Sequence, residues 1–395
     1  MGNELPKGWK EVPLFDIAEL STGKVDANHS TEDGLYPFYT CASEPMKSPD
    51  FSFDDEAVIV PGNGANVGSV LYYNGKFQAY QRTYVLSKIR IHPKYLYYHF
   101  LRYWKERTEN KQFGSATNYV KLVNFSTYLV GIPSLDEQKQ IAEKLDKLFD
   151  QIESIKKSTE RIPELLKNFR QQILTYAVTG KLTEDWRKDK QLDAWRVELA
   201  KDCCMKVQSG GTPKGSKFET VGIPFLKVYN IVNNKIDFES EPQYVSEEIQ
   251  NSQIKKSITY PGDVIMNIVG PPLNKVAIIP DTYKEWNLNQ AITLFRPKEY
   301  LNNKYLYYFF CEGSSVNSVI DKTRGVVGQV NISLRKCRDF SISIPPMEEQ
   351  LEIVKRIEVL FNILDDVEKR YKALCDKLDK LPQALLCKAF KGELI

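Results

Sequence analysis

Along two stretches of the chain, apolar positions recur at alternating spacings of four and three. The first runs through Ile141, Leu145, Leu148, Ile152 and Ile155, then Ile162, Leu166, Phe169, Ile173 and Tyr176, with Thr159 its polar member. The second runs through Ile353, Ile357, Leu360, Leu364 and Val367, then Tyr371, Leu374, Leu378, Leu381 and Leu385. A 3.5-residue period kept over five heptads predicts an a/d seam, the pattern of helices packed as a coiled coil. The competing reading is one amphipathic helix on a globular core, which two equal copies of the seam disfavour. Pro163 and Pro382 fall inside these stretches, and each predicts a kink or a restarted helix. A main helix over 136–161 and a second to about 178 follow, with Gly180 and Gly392 as stops.

Elsewhere the pattern shortens. Apolar runs at 57–60, 69–73, 263–266 and 275–279 predict strands, and aromatic-rich segments at 93–105 and 302–311 predict one helix each. Strands with one or two helices suggest α/β units with curved, mostly antiparallel sheets.

The two halves repeat each other. Ile132-Pro133-Ser134-Leu135-Asp136-Glu137-Gln138 returns as Ile344-Pro345-Pro346-Met347-Glu348-Glu349-Gln350, and 132–182 aligns on 344–394 without a gap, with 14 identities. Upstream the correspondence drifts: Trp9 matches Trp195, Tyr36-Pro37-Phe38 matches Ile223-Pro224-Phe225, Pro61-Gly62 matches Pro261-Gly262, and Lys94–Tyr98 matches Lys304–Tyr308. The second copy has therefore gained residues in at least two loops. The predicted order is a globular unit (1–131), a helical segment (132–182), a connector (183–192), a second globular unit (193–343) and a second helical segment (344–395). The natural closure is an intrachain antiparallel helix pair. The fold class expected is α+β: two globular α/β domains separated by two long helices, with pseudo-two-fold symmetry.

Composition narrows the function. With 54 Lys and Arg against 51 Asp and Glu, the net charge of +3 excludes a polycationic tail as the source of any nucleic-acid affinity. The helical segments contribute +1 and −1, so they read as solvated spacers. No apolar run is long enough for a membrane span, and the polar first ten residues do not read as a signal peptide. Seven cysteines without a repeating spacing predict reduced thiols and a cytoplasmic protein. Only three histidines are present, so no metal site is expected.

The loops of the globular units hold residues suited to base edges and phosphates. In the first they are Lys24, Asn28, Asn63, Asn66, Gln81, Arg82, Ser115, Thr117, Asn118 and Lys121; in the second, Thr212, Lys214, Lys217, Asn267, Asn289, Gln290, Lys322, Arg324 and Gln329. Arg and Lys pair with guanine and Asn and Gln with adenine in the major groove, while Gly-rich turns can hold phosphates. Taken singly, each is more simply a solvated turn residue; the set gains weight from the doubled architecture. No catalytic constellation emerges. The Gly62–Gly68 run lacks the spacing of a nucleotide loop and reads as a turn between strands. Gly270-Pro271-Pro272-Leu273 lacks the acidic or amide first residue and aromatic last residue of an amino-methyltransferase tetrapeptide. Pro49-Asp50 with Glu109-Asn110-Lys111 is a loose nuclease-like match without a counterpart in the second copy.

A Leu5-Pro6-Lys7-Gly8-Trp9 opening precedes a Ser/Thr-Gly turn. An Ile-Pro-x-x-(Asp/Glu)-Glu-Gln start then leads a long helix, closed by Thr179-Gly180-Lys181-Leu182-Thr183-Glu184-Asp185-Trp186-Arg187, and the order repeats. This resembles the specificity (S) subunit of type I DNA restriction-modification systems over the whole chain. The second helical segment departs at its end, where Gly392-Glu393-Leu394-Ile395 lacks the Asp-Trp-Arg tail. The resemblance implies two target-recognition domains, helical segments that act as a ruler, and no catalysis by this chain. It implies two methyltransferase (M) subunits carrying S-adenosylmethionine and methylating adenine N6, and, where the system includes them, restriction (R) subunits using ATP and Mg. The target implied is double-stranded DNA with a bipartite, asymmetric site, its half-sites roughly 34–36 Å apart. Two rivals remain: an enzyme of the same lineage, for which the repeat leaves no separate domain, and a coiled-coil scaffold or adaptor acting outside a restriction complex.

Overall fold

The structure is a computed structural model that describes residues 5–109, 119–215, 218–320 and 330–395. Its principal helices are α1 (Pro93–Glu109), α2 (Leu122–Ser126), α3 (Leu135–Thr159), α4 (Ile162–Val178), α5 (Asn303–Glu312), α6 (Leu334–Arg338) and α7 (Met347–Ala389). The Ser134 hydroxyl accepts the Glu137 N–H and starts α3. Pro163 sits in the first turn of α4, where its missing N–H costs nothing. The left-handed Gly180 follows α4 at once and Gly392 lies just beyond α7. Pro382 does not restart a helix: α7 passes through it without a break. Leu378 before it and Leu386 after it are both buried, so packing on either side holds the helix across the lost hydrogen bond. Among the described residues no helix is long and apolar enough to cross a membrane.

The chain forms two compact units, Met1–Glu160 with Tyr371–Ile395, and Arg161–Arg370. They cut across the five serial segments of the sequence reading. Each unit takes one globular domain, one half of the first helical segment and the complementary half of the second. Antiparallel pairing is the reason. In the first unit Lys156 on α3 bonds Asp379 at 2.8 Å, while Ile141 and Leu145 share a core with Leu386, Ala389 and Phe390. In the second, Arg170 on α4 reaches Asp365 at 2.5 Å and Glu368 at 3.4 Å, and Leu174 and Ala177 share a core with Ile353, Val354 and Ile357. The predicted seam holds only in part: Leu166 and Leu378 are buried, while Phe169 and Tyr176 are 52% and 39% exposed. Ile141, Leu145, Ile152, Ile353 and Ile357 are buried and Leu148, Leu360 and Leu364 half-buried, but Ile155 and Val367 are 41% and 40% exposed.

The first unit's strands are β1 (Lys10–Pro13), β2 (Glu19–Thr22), β3 (Tyr36–Tyr39), β4 (Met46–Ser48), β5 (Phe53–Pro61), β6 (Leu71–Ala79), β7 (Thr83–Ser87) and β8 (Leu129–Ile132). Six form one sheet in the order β2-β7-β5-β6-β3-β4, antiparallel except for β3 beside β6; β1 pairs with β8. A bridge from Val25 to Tyr80 joins the chain beyond β2 to the chain beyond β6, which rolls the sheet on itself. Its centre is dry on both faces. Ala57 and Ile59 pack inside the roll with Phe77 and Val85, and Val58 and Val60 pack under α1 with Tyr95, Leu96 and Phe100. That is why 57–60 is a continuous apolar run rather than an alternating one.

In the second unit β9 (Arg196–Leu199) pairs with β17 (Ser341–Ile344). A four-stranded sheet orders β10 (Cys204–Ser209), β16 (Ile292–Pro297), β13 (Val264–Asn267) and β14 (Val276–Ile278); a three-stranded one orders β12 (Tyr244–Val245), β11 (Ile223–Leu226) and β15 (Asn287–Leu288). The extra residues of this copy form a hairpin at 231–236 between β11 and β12, and a helix, Glu247–Ser252, between β12 and β13. The Pro61-Gly62 match to Pro261-Gly262 does not hold in the structure: Pro61 ends β5, whereas Pro261 and Gly262 precede β13.

Candidate nucleic-acid interface

Equivalent hydrogen bonds place the two domains on one frame. Gly23 N–H donates to the Thr83 carbonyl (3.3 Å) as Gly210 donates to Ile292 (2.9 Å). Gly62 donates to Arg82 as Ile268 donates to Ala291, and Val120 to Gly62 as Ile332 to Ile268. Tyr80 donates to Tyr39 as Asn289 donates to Leu226. Below the loops the match continues: the Gln138 side chain accepts from His92 N–H and Gln350 from Asn302 N–H, and the Tyr95 and Tyr305 hydroxyls reach the Gly131 and Ser343 carbonyls.

This frame holds one β-turn per domain at the entrance to a central strand. In the first, Thr83 N–H donates to Tyr80 across Gln81 and Arg82 (2.8 Å); in the second, Ile292 N–H donates to Asn289 across Gln290 and Ala291 (3.1 Å). Gln81 and Arg82 are exposed. Asp26 accepts from the Gln81 amide (3.1 Å) and from Ala27 N–H (2.6 Å), tying the turn to the loop that carries Lys24 and Asn28. Asn66 donates to the Cys41 carbonyl (2.8 Å), and the Cys41 thiol faces the Arg82 carbonyl (3.5 Å). Asn63 bridges to Tyr119, and Lys121 caps α2. The seven described candidates of the first domain thus lie on loops linked through one set of hydrogen bonds. Beside them His29 and Gln78 both bond Asp50 at 2.9 Å. The His29 bond, then the Gln78 bond, hold the Asp50 carboxyl below its ordinary range.

In the second domain Gly210 lies against the Leu288 and Asn289 carbonyls, where a Cβ would clash. That close approach puts exposed Thr212 beside Gln290, to which its hydroxyl donates. Lys214 is exposed nearby, its N–H donating to Gln253 (2.9 Å). The Asn289 side chain closes its own turn by accepting Ala291 N–H. Asn267 is a correction. It is fully buried, donates to Val269 and Pro272 and accepts from Lys275 N–H, so it shapes a loop and presents nothing to a ligand. Ser115, Thr117, Asn118, Lys217, Lys322, Arg324 and Gln329 lie outside the described residues. Sequence reasoning missed Asp26; only its contact with Gln81 reveals its role, and a lone aspartate carries no such signal.

A family model described as type I restriction modification DNA specificity domain matches residues 6–164 and 194–374. The chain is 32% identical to the type I restriction enzyme EcoDI specificity subunit of Escherichia coli, over 99% of this chain and 90% of that one. Its fold is similar to the crystal structure of an HsdS subunit from Thermoanaerobacter tengcongensis (TM-score 0.66, 17% identity, 99% of both chains). It is also similar to a solved chain from work on complex assembly and conformational transition of the type I R-M system (TM-score 0.70, 18% identity, 100% of both chains).

Proposed function

The chain belongs to the type I restriction-modification specificity family, and from that premise we propose that it reads a bipartite DNA site, one half-site per domain. The observation that carries this is the pair of β-turn tips on one frame, alike at Gln81 and Gln290 but different at the next position, Arg82 against Ala291. A shared frame gives both domains the same way of approaching a groove, and unlike tips make the two half-sites different. The chain acts as a recognition subunit and leaves the chemistry to its partners. Those are two methyltransferase subunits with S-adenosylmethionine, methylating adenine N6, and restriction subunits with ATP and Mg where the system includes them. A net charge of +3 fits this division, because most phosphate neutralisation then falls to the partners. The paired helices set the number of unread base pairs between the half-sites.

Methylome sequencing tests the whole reading. Replacing residues 1–131 by the first domain of another family member should change one half-site and leave the other. Adding one heptad to each of α3 and α7 adds about 10 Å of helix and should lengthen the unread spacer. Change in both half-sites after the exchange would refute modular reading, and an unchanged spacer would refute the ruler. The purified chain alone should neither methylate nor cleave DNA.

A further inference from the structure

The two β-turn tips differ in a way that assigns chemistry to each. Position by position, the hydrogen bonds across the turns equate Gln81 with Gln290 and Arg82 with Ala291. At the first of these positions both domains keep a glutamine, but they hold it from opposite ends. Asp26 can only accept, so it takes the Gln81 amide N–H and leaves the Gln81 carbonyl oxygen uncommitted by this bond. Thr212 donates to the carbonyl oxygen of Gln290 and leaves the Gln290 NH2 uncommitted by this bond. The second position differs outright. Arg82 is exposed, and among the described residues its guanidinium has no hydrogen-bond or ion-pair partner. Its backbone, by contrast, is fixed, since its carbonyl accepts from Gly62 N–H (2.9 Å) and the residues on either side are bonded to Val25 and Tyr80. A free guanidinium on a clamped turn is a rigid platform with an unspent donor fork. In the major groove the pair of acceptors that this fork fits is O6 and N7 of guanine.

We propose that the tip entering each central strand is the specificity-determining element of its domain. Arg82 selects a guanine in the half-site of the first domain, and Ala291 leaves the second domain without that requirement. The inference rests on the reading of this chain as a DNA-recognition subunit and names the base one of its residues takes.

The test is methylome sequencing of cells that carry the unmodified chain or a variant in its complete system. Arg82→Ala should relax one guanine position in one half-site by about tenfold or more, with the other half-site unchanged. Arg82→Gln, which keeps a paired donor and acceptor, should move that requirement toward adenine. Ala291→Arg should add a guanine requirement to the second half-site. An unchanged motif in all three variants would overturn the inference while leaving the bipartite reading intact. So would an Arg82→Ala protein that methylates every site less but with the same motif, because that marks a phosphate contact. Absence of any bipartite motif with the unmodified chain would overturn the function and this inference together.

Discussion

Trp9 and Trp195 make the same hydrogen bond, indole N–H to a glutamate at the start of a long helix, yet the two sites are finished differently. Glu137 accepts from Trp9 at 3.0 Å and stays half-exposed. Glu349 accepts from Trp195 (2.8 Å), from the Thr183 hydroxyl (2.7 Å) and from Arg187 Nε (2.9 Å), and is fully buried. Arg187 also donates to the Gly180 carbonyl. At the equivalent Gly392 the space a Cβ would take is bounded by Pro6 instead. One motif is therefore an ion-paired joint in the second unit and an apolar one in the first. The repeat preserves the geometry of the joint, while what surrounds the carboxylate decides how much depends on it.

The largest expected effect follows. Glu349→Ala leaves an arginine, an indole N–H and a hydroxyl without their shared acceptor; the Arg187 side chain, 36% exposed, can turn to water, and each hydrogen bond lost to the buried carboxylate is worth about 1.5–3 kcal/mol. Glu137→Ala removes one hydrogen bond at a half-exposed site and should cost about 1 kcal/mol. Denaturant unfolding followed by hydrogen exchange in each unit checks this. Losses of equal size would mean that the joints are energetically alike despite their different partners.

How much of this was legible in the sequence depends on the range of the interaction. The helices, the Gly180 stop and the turn at 62–68 come from local periodicity and turn chemistry, the loop insertions of the second copy from the drift of the repeat, and they stand in the structure. The strand order does not follow from local pattern. β3 lies parallel to β6, and β6 has two short strands, β14 and β15, as its counterpart, because pairing there is set by contacts remote in sequence. The Pro61-Gly62 match went astray for the same reason: a dipeptide identity carries no register, whereas the hydrogen bond from Gly62 to Arg82 does. Asn267 shows the limit for the site. An asparagine that closes a loop and one that meets a ligand look alike until burial separates them.

A second contrast lies in α1 and α5, where Lys-Tyr-Leu-Tyr-Tyr-His-Phe is matched by Lys-Tyr-Leu-Tyr-Tyr-Phe-Phe. His99 is buried, with its Nδ1 3.1 Å from the Tyr128 hydroxyl; the second unit has Phe309 and Phe340 at these places. Burial, and then the charges of Arg107 and Arg102, push the His99 imidazole down to about 3. An unfolded histidine takes a proton near pH 6.5, which the folded one refuses until about pH 3. The contribution is therefore whole above pH 6.5 and is lost on acidification at about 1.4 kcal/mol per pH unit. The first unit should lose protection before the second between pH 6.5 and 4.5. His99→Phe with Tyr128→Phe should flatten that window, as read by hydrogen exchange at matched intrinsic rates. An unchanged acid profile would place the sensitivity elsewhere.

The smallest effect concerns how the two long helices begin. Ser134 caps α3 through its hydroxyl, which accepts Glu137 N–H at 3.3 Å. Pro346 holds the equivalent place before α7 and offers only its carbonyl, to Glu349 and Gln350 N–H. The side-chain bond is thus an extra in the first unit, added to a backbone arrangement both helices share. Ser134→Ala removes it without moving the backbone and should cost about 1 kcal/mol. Ser134→Pro removes the same bond but restricts the unfolded chain, which offsets part of the loss, so it should be the milder variant despite the larger chemical change. Urea midpoints for the two variants order them. A proline variant less stable than the alanine variant would mean that α3 needs a conformation at residue 134 that proline cannot adopt, and that the two helix starts are not equivalent after all.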